Sequence, residues 1–333
     1  MLKDNLLIRV IKGHLNIPAA LPANAQIEIT NLCNLDCPMC FKNFIKVPPK
    51  HMDFEVFKQV VDKLIGVRLI TLCGYGETMC YPKIFEAIRY CKERGFEVEL
   101  TSNATLLDDS TKLKGLISSG LDSVTFSFES ISRINPYCHD NISASENVKE
   151  LIKTKRDLAS PTPEITLQTL MMKGKEADLF ELIRWGAENG VDRINVARFE
   201  QFNTLKHIEK PNLKEEKKLF KEFSRLRKKL KIRIDCLQDQ FYTGIKGFLY
   251  NGLKYFTAMD KNCIRLYDFI YINVDGDVRP CCALVECKMD SLLNRGLNEI
   301  WTSKRYNNFR KSYKNVGWCS RCDFAKLKQI NLK

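Results

Sequence analysis

Three cysteines lie close together near the start of the chain, in the run Thr30-Asn31-Leu32-Cys33-Asn34-Leu35-Asp36-Cys37-Pro38-Met39-Cys40. Thiolates are soft ligands that suit zinc and iron–sulfur clusters. The C-x3-C-x2-C spacing supplies three ligands, and no fourth lies nearby. In a cube of four irons, three thiolates leave one iron without a protein ligand, open to a substrate or cosubstrate. A four-cysteine zinc site is the alternative, and it would draw its fourth thiol from elsewhere. A second concentration of thiols comes late: Cys263, then Cys281, Cys282, Cys287, Cys319 and Cys322. It reads as a small metal-stapled region, because so short a stretch has too little core to stand alone.

The bulk composition agrees with metal ligation. The 333 residues include 14 cysteines. Residues 1–12 are broken by Lys3, Asp4, Arg9 and Lys12 and contain no signal-peptide pattern. No apolar stretch reaches the roughly 18 residues of a membrane span. A cytoplasmic location is expected, where disulfides are disfavoured and clustered thiols bind metals. The formal charge of +13 would suit nucleic acid, an anionic surface or an acidic substrate. The plainer reading is a Lys-rich solvated surface. Much of the excess lies between Lys214 and Arg233, where Leu213, Leu219, Phe220, Phe223, Leu226 and Leu230 recur at helical spacing. Nucleic acid is not expected as a partner, since the aromatic–basic interleaving of single-strand binders is missing.

The elements that must hold these thiols follow from periodicity. Strands are expected at Gln26–Thr30, Arg68–Leu72, Glu97–Thr101, Ser123–Phe128, Glu164–Met171 and Arg193–Ala197. Helices are expected between them at Phe54–Ile65, Ile84–Arg94, Ser110–Ser119, Ser145–Leu158 and Ala177–Asn189. Gly66, Gly95, Gly120 and Gly190 mark helix ends. Strands alternating with helices demand a mostly parallel sheet, because parallel neighbours need crossovers. The expected fold is α/β: a partial (β/α)6 barrel with a small C-terminal cysteine-rich domain. A lead-in would cover residues 1–24, the barrel 25–235 and the appended domain 236–333. In that domain Tyr267–Val274, Asp275-Gly276 and Asp277–Cys281 read as a β-hairpin.

With the triad placed just after the first strand of such a sequence, the chain resembles the radical S-adenosylmethionine (radical SAM) superfamily. The resemblance covers about residues 25–200. It implies that Cys33, Cys37 and Cys40 hold a catalytic [4Fe-4S] cluster whose open iron chelates S-adenosylmethionine. Reductive cleavage then yields a 5′-deoxyadenosyl radical that abstracts hydrogen from a substrate. Leu72-Cys73-Gly74-Tyr75-Gly76-Glu77 resembles the family's Gly-Gly-Glu motif, with Tyr75 interrupting the glycines. It implies that Gly74, Tyr75, Gly76 and Glu77 border S-adenosylmethionine. Ser102, Asn103 and Ser127, at the ends of the third and fourth strands, would contact its ribose or carboxylate. Glu129 stands where the family often has Asp, so its role is left open. Arg198, ending the sixth strand, would border the adenine or the substrate.

The late cysteines resemble the SPASM/twitch extension of a radical SAM subgroup. There a hairpin-flanking pair and a distant C-x2-C pair hold an auxiliary [4Fe-4S] cluster. The implied ligands are Cys263, Cys281, Cys319 and Cys322, with Cys282 or Cys287 as substitutes and a structural zinc as the alternative occupant. Residues 323–333 contain no cysteine, so one auxiliary cluster is expected rather than two. Cys73, Cys80, Cys91, Cys138 and Cys236 read as core or incidental, and His14, His51, His139 and His207 form no ligand pattern. Asp275 and Asp277 are candidate bases, though turn chemistry explains them better. The implied reaction is a net oxidation with the auxiliary cluster as acceptor, on a small or peptide substrate, possibly anionic, with flavodoxin or ferredoxin as electron donor. A peptide-crosslinking or maturase enzyme is the second reading. A non-enzymatic iron–sulfur or zinc protein that binds nucleic acid is the third.

Overall fold

The computed structural model describes residues 15, 17–18, 20–131, 141–199, 208–239 and 262–327. Cys138, His14, His139 and His207 lie outside the described residues. Seven strands follow one another in parallel: β1 (Asn24–Ile27), β2 (Leu69–Leu72), β3 (Glu97–Ser102), β4 (Ser123–Ser127), β5 (Glu164–Met171), β6 (Arg193–Arg198) and β7 (Arg233–Asp235). The helices between them are α1 (Phe54–Asp62), α2 (Ile84–Glu93), α3 (Ser110–Ser118), α4 (Asn141–Asp157), α5 (Glu176–Asn189) and α6 (Leu213–Leu230). The short strand β7 goes beyond the six expected, and β1 begins and ends earlier than its hydrophobic run suggests. Ile29 lies past β1 yet is buried in the core, which explains why its pattern reads as strand.

Local rules account for the helix boundaries. Asp53 caps α1 by accepting the N–H groups of Glu55 and Val56, and the helix buries Phe57, Val60 and Val61. Asn212 and Glu215 form a capping box on α6, which buries Leu219, Phe220, Phe223 and Leu226 and turns its lysines outward. Gly190 ends α5 in the left-handed conformation at φ 84°, where a Cβ would be strained. Among the described residues no helix is long and apolar enough to cross a membrane.

The C-terminal region does not hang from the barrel as an appendage. The hairpin of β8 (Phe269–Ile272) and β9 (Asp277–Arg279) joins the same sheet, with β8 parallel to β1 on the side opposite β2. β10 (Asp290–Ser291) completes the order β10-β9-β8-β1-β2-β3-β4-β5-β6-β7. Ile270, Ile272, Val278, Leu292 and Trp301 belong to the same continuous core as Ile27, Ile70 and Phe126. Three short helices follow: α7 (Leu297–Trp301), α8 (Lys304–Ser312) and α9 (Gly317–Arg321).

Arg198 corrects one expectation. Its side chain is not turned to a ligand. The fully buried guanidinium forms a two-point pair with Glu216 (2.7 and 2.9 Å). It also donates to the carbonyls of Asp323, Lys326 and Leu327 at 3.2, 2.7 and 3.1 Å. All five guanidinium N–H groups are thereby engaged. Gln238 donates to the carbonyls of Phe324 and Lys326, and Lys210 pairs with the buried Asp323. The segment just after Cys322 is therefore bound to the end of β6. Breaking one side of a buried pair leaves an uncompensated charge. Arg198→Ala is expected to cost about 3–5 kcal/mol in denaturant unfolding. Arg198→Met combined with Glu216→Leu should cost less; a double variant as unstable as the single one would mean that the carbonyl contacts, not the charge pair, dominate.

Candidate metal centres

The first thiol centre is built on the loop that leaves β1. Asn31 closes that loop, donating to the Pro48 carbonyl (2.9 Å) and accepting the Lys50 N–H (2.6 Å). The Cys33 sulfur accepts the Leu35 N–H, and the Cys40 N–H donates to the Cys37 carbonyl. All three thiols are half-buried. Burial pushes Cys33 up to about 11, with the charges of Glu77 and Cys40 adding to it. Cys40 is raised by burial and by the neighbouring Cys37. Cys40 thus acts on Cys33 and is acted on by Cys37. Metal binding requires thiolates, and a bound cationic centre offsets what burial costs them. Among the described residues no three His, Cys, Asp or Glu side chains converge on a point that one metal ion would fill.

The loop after β2 packs directly onto this one. A Cβ on Gly76 would stand 2.3 Å from the Leu32 carbonyl oxygen and 2.7 Å from that of Thr30. A Cβ on Gly74 would meet the Glu28 side chain at 2.3 Å. Glycine at 76 lets backbone lie against backbone, and glycine at 74 leaves room for the Glu28 side chain. Glu28 accepts the Tyr75 N–H (2.9 Å), and the Glu77 N–H donates to the Leu32 carbonyl (2.8 Å). The buried Glu77 carboxylate accepts the N–H groups of Met79 (3.0 Å) and Asn103 (2.7 Å), so it ties the end of β2 to the end of β3. Asn103 in turn donates to Asn34, and Asn34 to Thr105. Ser102 is buried and accepts the Ala104 N–H, while Ser127 is exposed at the end of β4. A cavity of about 300 Å³ opens beside the triad, lined in part by Leu32, Cys33, Lys42, Ile45, Val47 and Tyr75.

The second centre gathers around α9 and the hairpin. Cys263 precedes a turn of 3-10 helix (Ile264–Tyr267), and its N–H donates to the Tyr313 hydroxyl (3.1 Å). Cys263 and Cys319 pack against Leu266, Tyr267 and Tyr313. Cys319 lies on α9 and Cys322 caps its end, one turn apart. Burial pushes Cys319 up to about 12, reinforced by the charges of Cys263, Cys281 and Cys287. Cys263 is raised by burial and by Cys281. Cys281 and Cys282 share a thiol hydrogen bond that raises the first and lowers the second. Cys91 and Cys236 are buried, in keeping with a core role. Asp275 pairs with Lys50 and Asp277 with Lys288, and the Asn273 side chain accepts both aspartate N–H groups. These aspartates serve the turn.

Phe41, Trp318 and Tyr271 escaped the sequence reading. The rings of Phe41 and Trp318 meet edge-on with centroids 6.0 Å apart. Phe41 also contacts Tyr75 at 5.7 Å, and Tyr75 contacts Tyr271 at 6.2 Å. The Tyr75 hydroxyl donates to the Cys282 carbonyl. Phe41 directly follows Cys40, and Trp318 directly precedes Cys319. That adjacency to expected ligands was the available signal. Glu129, just past β4, accepts the Leu170 N–H (3.0 Å) and the Thr169 hydroxyl (3.4 Å) through one oxygen. The other oxygen accepts no hydrogen bond from the described residues. Burial, with no opposing charge, pushes this carboxyl up to about 8.

Comparison with known proteins agrees with this layout. The family model of the radical SAM superfamily matches residues 27–186, and that of the SPASM iron–sulfur cluster-binding domain matches residues 263–323. The chain is similar to the tungsten-containing aldehyde ferredoxin oxidoreductase cofactor-modifying protein of Pyrococcus furiosus, with 28% identity over 92% of this chain and 90% of that one. It is similar to the PqqA peptide cyclase of Bradyrhizobium diazoefficiens, with 24% identity over 92% of this chain and 80% of that one. Its fold is that of Streptococcus suis SuiB bound to precursor peptide SuiA, with a TM-score of 0.72 at 18% identity over 96% of this chain and 74% of that one. The chain belongs to the radical SAM superfamily with a C-terminal SPASM iron–sulfur domain.

Proposed function

We propose that this enzyme oxidises its substrate by one hydrogen atom, one proton and one electron. The observation that carries the reading is the contact between the two thiol centres. Phe41 and Trp318, each next to a cysteine, touch across the gap, and Tyr75 bonds to the carbonyl of Cys282. When bound, the two clusters and S-adenosylmethionine supply the electron for sulfonium cleavage and an acceptor for the electron the substrate gives up.

The chain's own residues do the positioning. Cys33, Cys37 and Cys40 fit the catalytic cluster, since they are half-buried thiols on one loop that leaves β1. Cys263, Cys281, Cys319 and Cys322 fit one auxiliary cluster, with Cys282 and Cys287 as neighbours able to substitute. Gly74, Tyr75, Gly76, Glu77, Ser102, Asn103 and Ser127 border S-adenosylmethionine, the glycines by letting backbone approach it. Glu129 holds the proton. Its second oxygen, which accepts no hydrogen bond from the described residues, is the acid–base group at the end of β4, and a value near 8 lets it exchange a proton close to neutrality.

The substrate is a small anionic molecule of the cofactor kind. The relative from Pyrococcus furiosus, named for modifying a cofactor, supports this, and the formal charge of +13 suits an anion. A peptide substrate is the second reading, supported by the likeness to a PqqA peptide cyclase. A flavodoxin or ferredoxin supplies the priming electron.

Iron, acid-labile sulfide and zinc per chain, measured after anaerobic reconstitution, test the cofactor assignment. About eight irons are expected, falling to about four in the Cys33→Ala/Cys37→Ala/Cys40→Ala variant, which should also lose reductive cleavage of S-adenosylmethionine. Four irons falling to none, with one zinc retained, would remove the acceptor and with it the oxidation. Glu129 is tested through stability. Its folded pKa lies above the ordinary carboxyl value, so its contribution is full at low pH and is lost as pH rises toward 8. The advantage of Glu129→Gln over wild type should grow by roughly 3 kcal/mol between about pH 5.5 and pH 7.5 in urea unfolding. A pH-independent difference would show that the carboxyl is already ionised.

A further inference from the structure

We infer that Glu99 grips the substrate through a paired N–H donor edge, the kind presented by an amino-substituted heterocycle or a guanidine group. The inference names the chemistry of the molecule held at the site described above and rests on the function proposed for that site.

The two faces of the sheet differ in kind. On one, Ile27, Ile70, Leu100, Phe126, Leu167 and Ile194 share a core with Val60, Ile88 and Leu116 of the helices. Parallel sheets covered on both faces are apolar on both, and the interior of a closed barrel is filled by branched apolar side chains. The other face here is polar. The register aligns Gln26 with Thr71, Thr71 with Glu99, and Gln168 with Asn195, and all five residues are only half-buried. This face runs directly beneath the glycine loop and the end of β4. Gln26 donates to the Cys73 carbonyl at 3.0 Å, and Gln168 is in register with Ser127. A few placed polar groups in a concave site fix the orientation of a ligand and give it specificity.

Glu99 is the charged member of the set. The Thr125 hydroxyl donates to one of its carboxylate oxygens at 2.8 Å, and the Thr71 hydroxyl to the other at 3.4 Å. The two flanking strands thus hold the group with one hydroxyl on each oxygen. An ionised carboxylate has about four lone-pair sites, so each oxygen can accept once more. Among the described residues no Lys or Arg pairs with it. Two parallel N–H donors are the complement of two such oxygens, and the charge makes these bonds roughly twice as strong as neutral ones. The side-chain amides of Asn195 and Gln168, joined at 3.0 Å, add neutral donors and acceptors two strands away. An anionic group on the same molecule is repelled by Glu99, so the donor edge and the anion lie at opposite ends.

Two nucleotides that differ only at this edge provide the test. Guanosine monophosphate presents a ring N–H and an amino group side by side, and inosine monophosphate lacks the amino group. Equilibrium dialysis against the anaerobically reconstituted holoprotein should show guanosine monophosphate bound about tenfold more tightly. Glu99→Gln should abolish that preference with iron content unchanged. Displacement of guanosine monophosphate by N-acetylarginine amide, and not by N-acetyllysine amide, would assign the edge to a peptide side chain; no displacement by either would assign it to a heterocycle. Equal binding of the two nucleotides, binding of neither, or a preference that Glu99→Gln retains overturns the inference and leaves the oxidation reading standing. A wild type that prefers guanosine monophosphate but holds no second cluster overturns the oxidation reading and leaves the donor edge in place.

Discussion

Strand β1 is paired on both sides in parallel, with β2 on one and β8 on the other. Neighbouring strands stand about 4.8 Å apart, so the loops that leave their C-terminal ends must be neighbours too. From β1 the chain enters the cysteine triad, from β2 the glycine loop, and from β8 the hairpin that leads to Cys281. The register Ile27↔Leu72 and Ile27↔Ile272 sets all three loops at one level. Every contact between the two thiol centres depends on that double pairing. The pairing of β8 with β1, together with the Arg198 contacts to the segment after Cys322, fixes the late cysteines relative to the early ones.

The polar groups at this end serve first as ties. Glu28, Glu77 and Glu129 are buried, and each accepts backbone N–H groups from a neighbouring loop or strand. Burial raises all three, because a desolvated carboxylate disfavours its charge. Arg198 does the same at the far side, spending its guanidinium on Glu216 and on the strap after Cys322. Buried charges in pairs contribute little net stability but punish loss of one partner, which suits groups that fix a geometry. Arg310 and Tyr306 stand apart from this pattern. Each is buried with one donor atom left without a partner among the described residues.

Much of the fold was legible because parallel β/α units impose it. Strand and helix runs with glycine at the helix ends allow few arrangements, and Gly66, Gly95, Gly120 and Gly190 all adopt positive φ. The hairpin around Asp275-Gly276 was legible for the same local reason. The two groups of cysteines were legible because thiol spacing is a covalent fact of the chain. The expectation for Arg198 failed because a strand-end arginine looks the same in sequence whether it faces a ligand or a carboxylate. Its partner Glu216 is 18 positions away and the carbonyls it meets are more than 120 away.

By itself, then, the sequence determined the ligand types, their local spacing and the alternation of strands and helices. These depend on neighbours a few residues apart, where bond geometry and periodicity act. Only the tertiary structure decided that β8 lies beside β1 and that Phe41 meets Trp318. Such contacts join residues tens to hundreds of positions apart. They follow from which faces can be buried together in one core, and no local pattern encodes that.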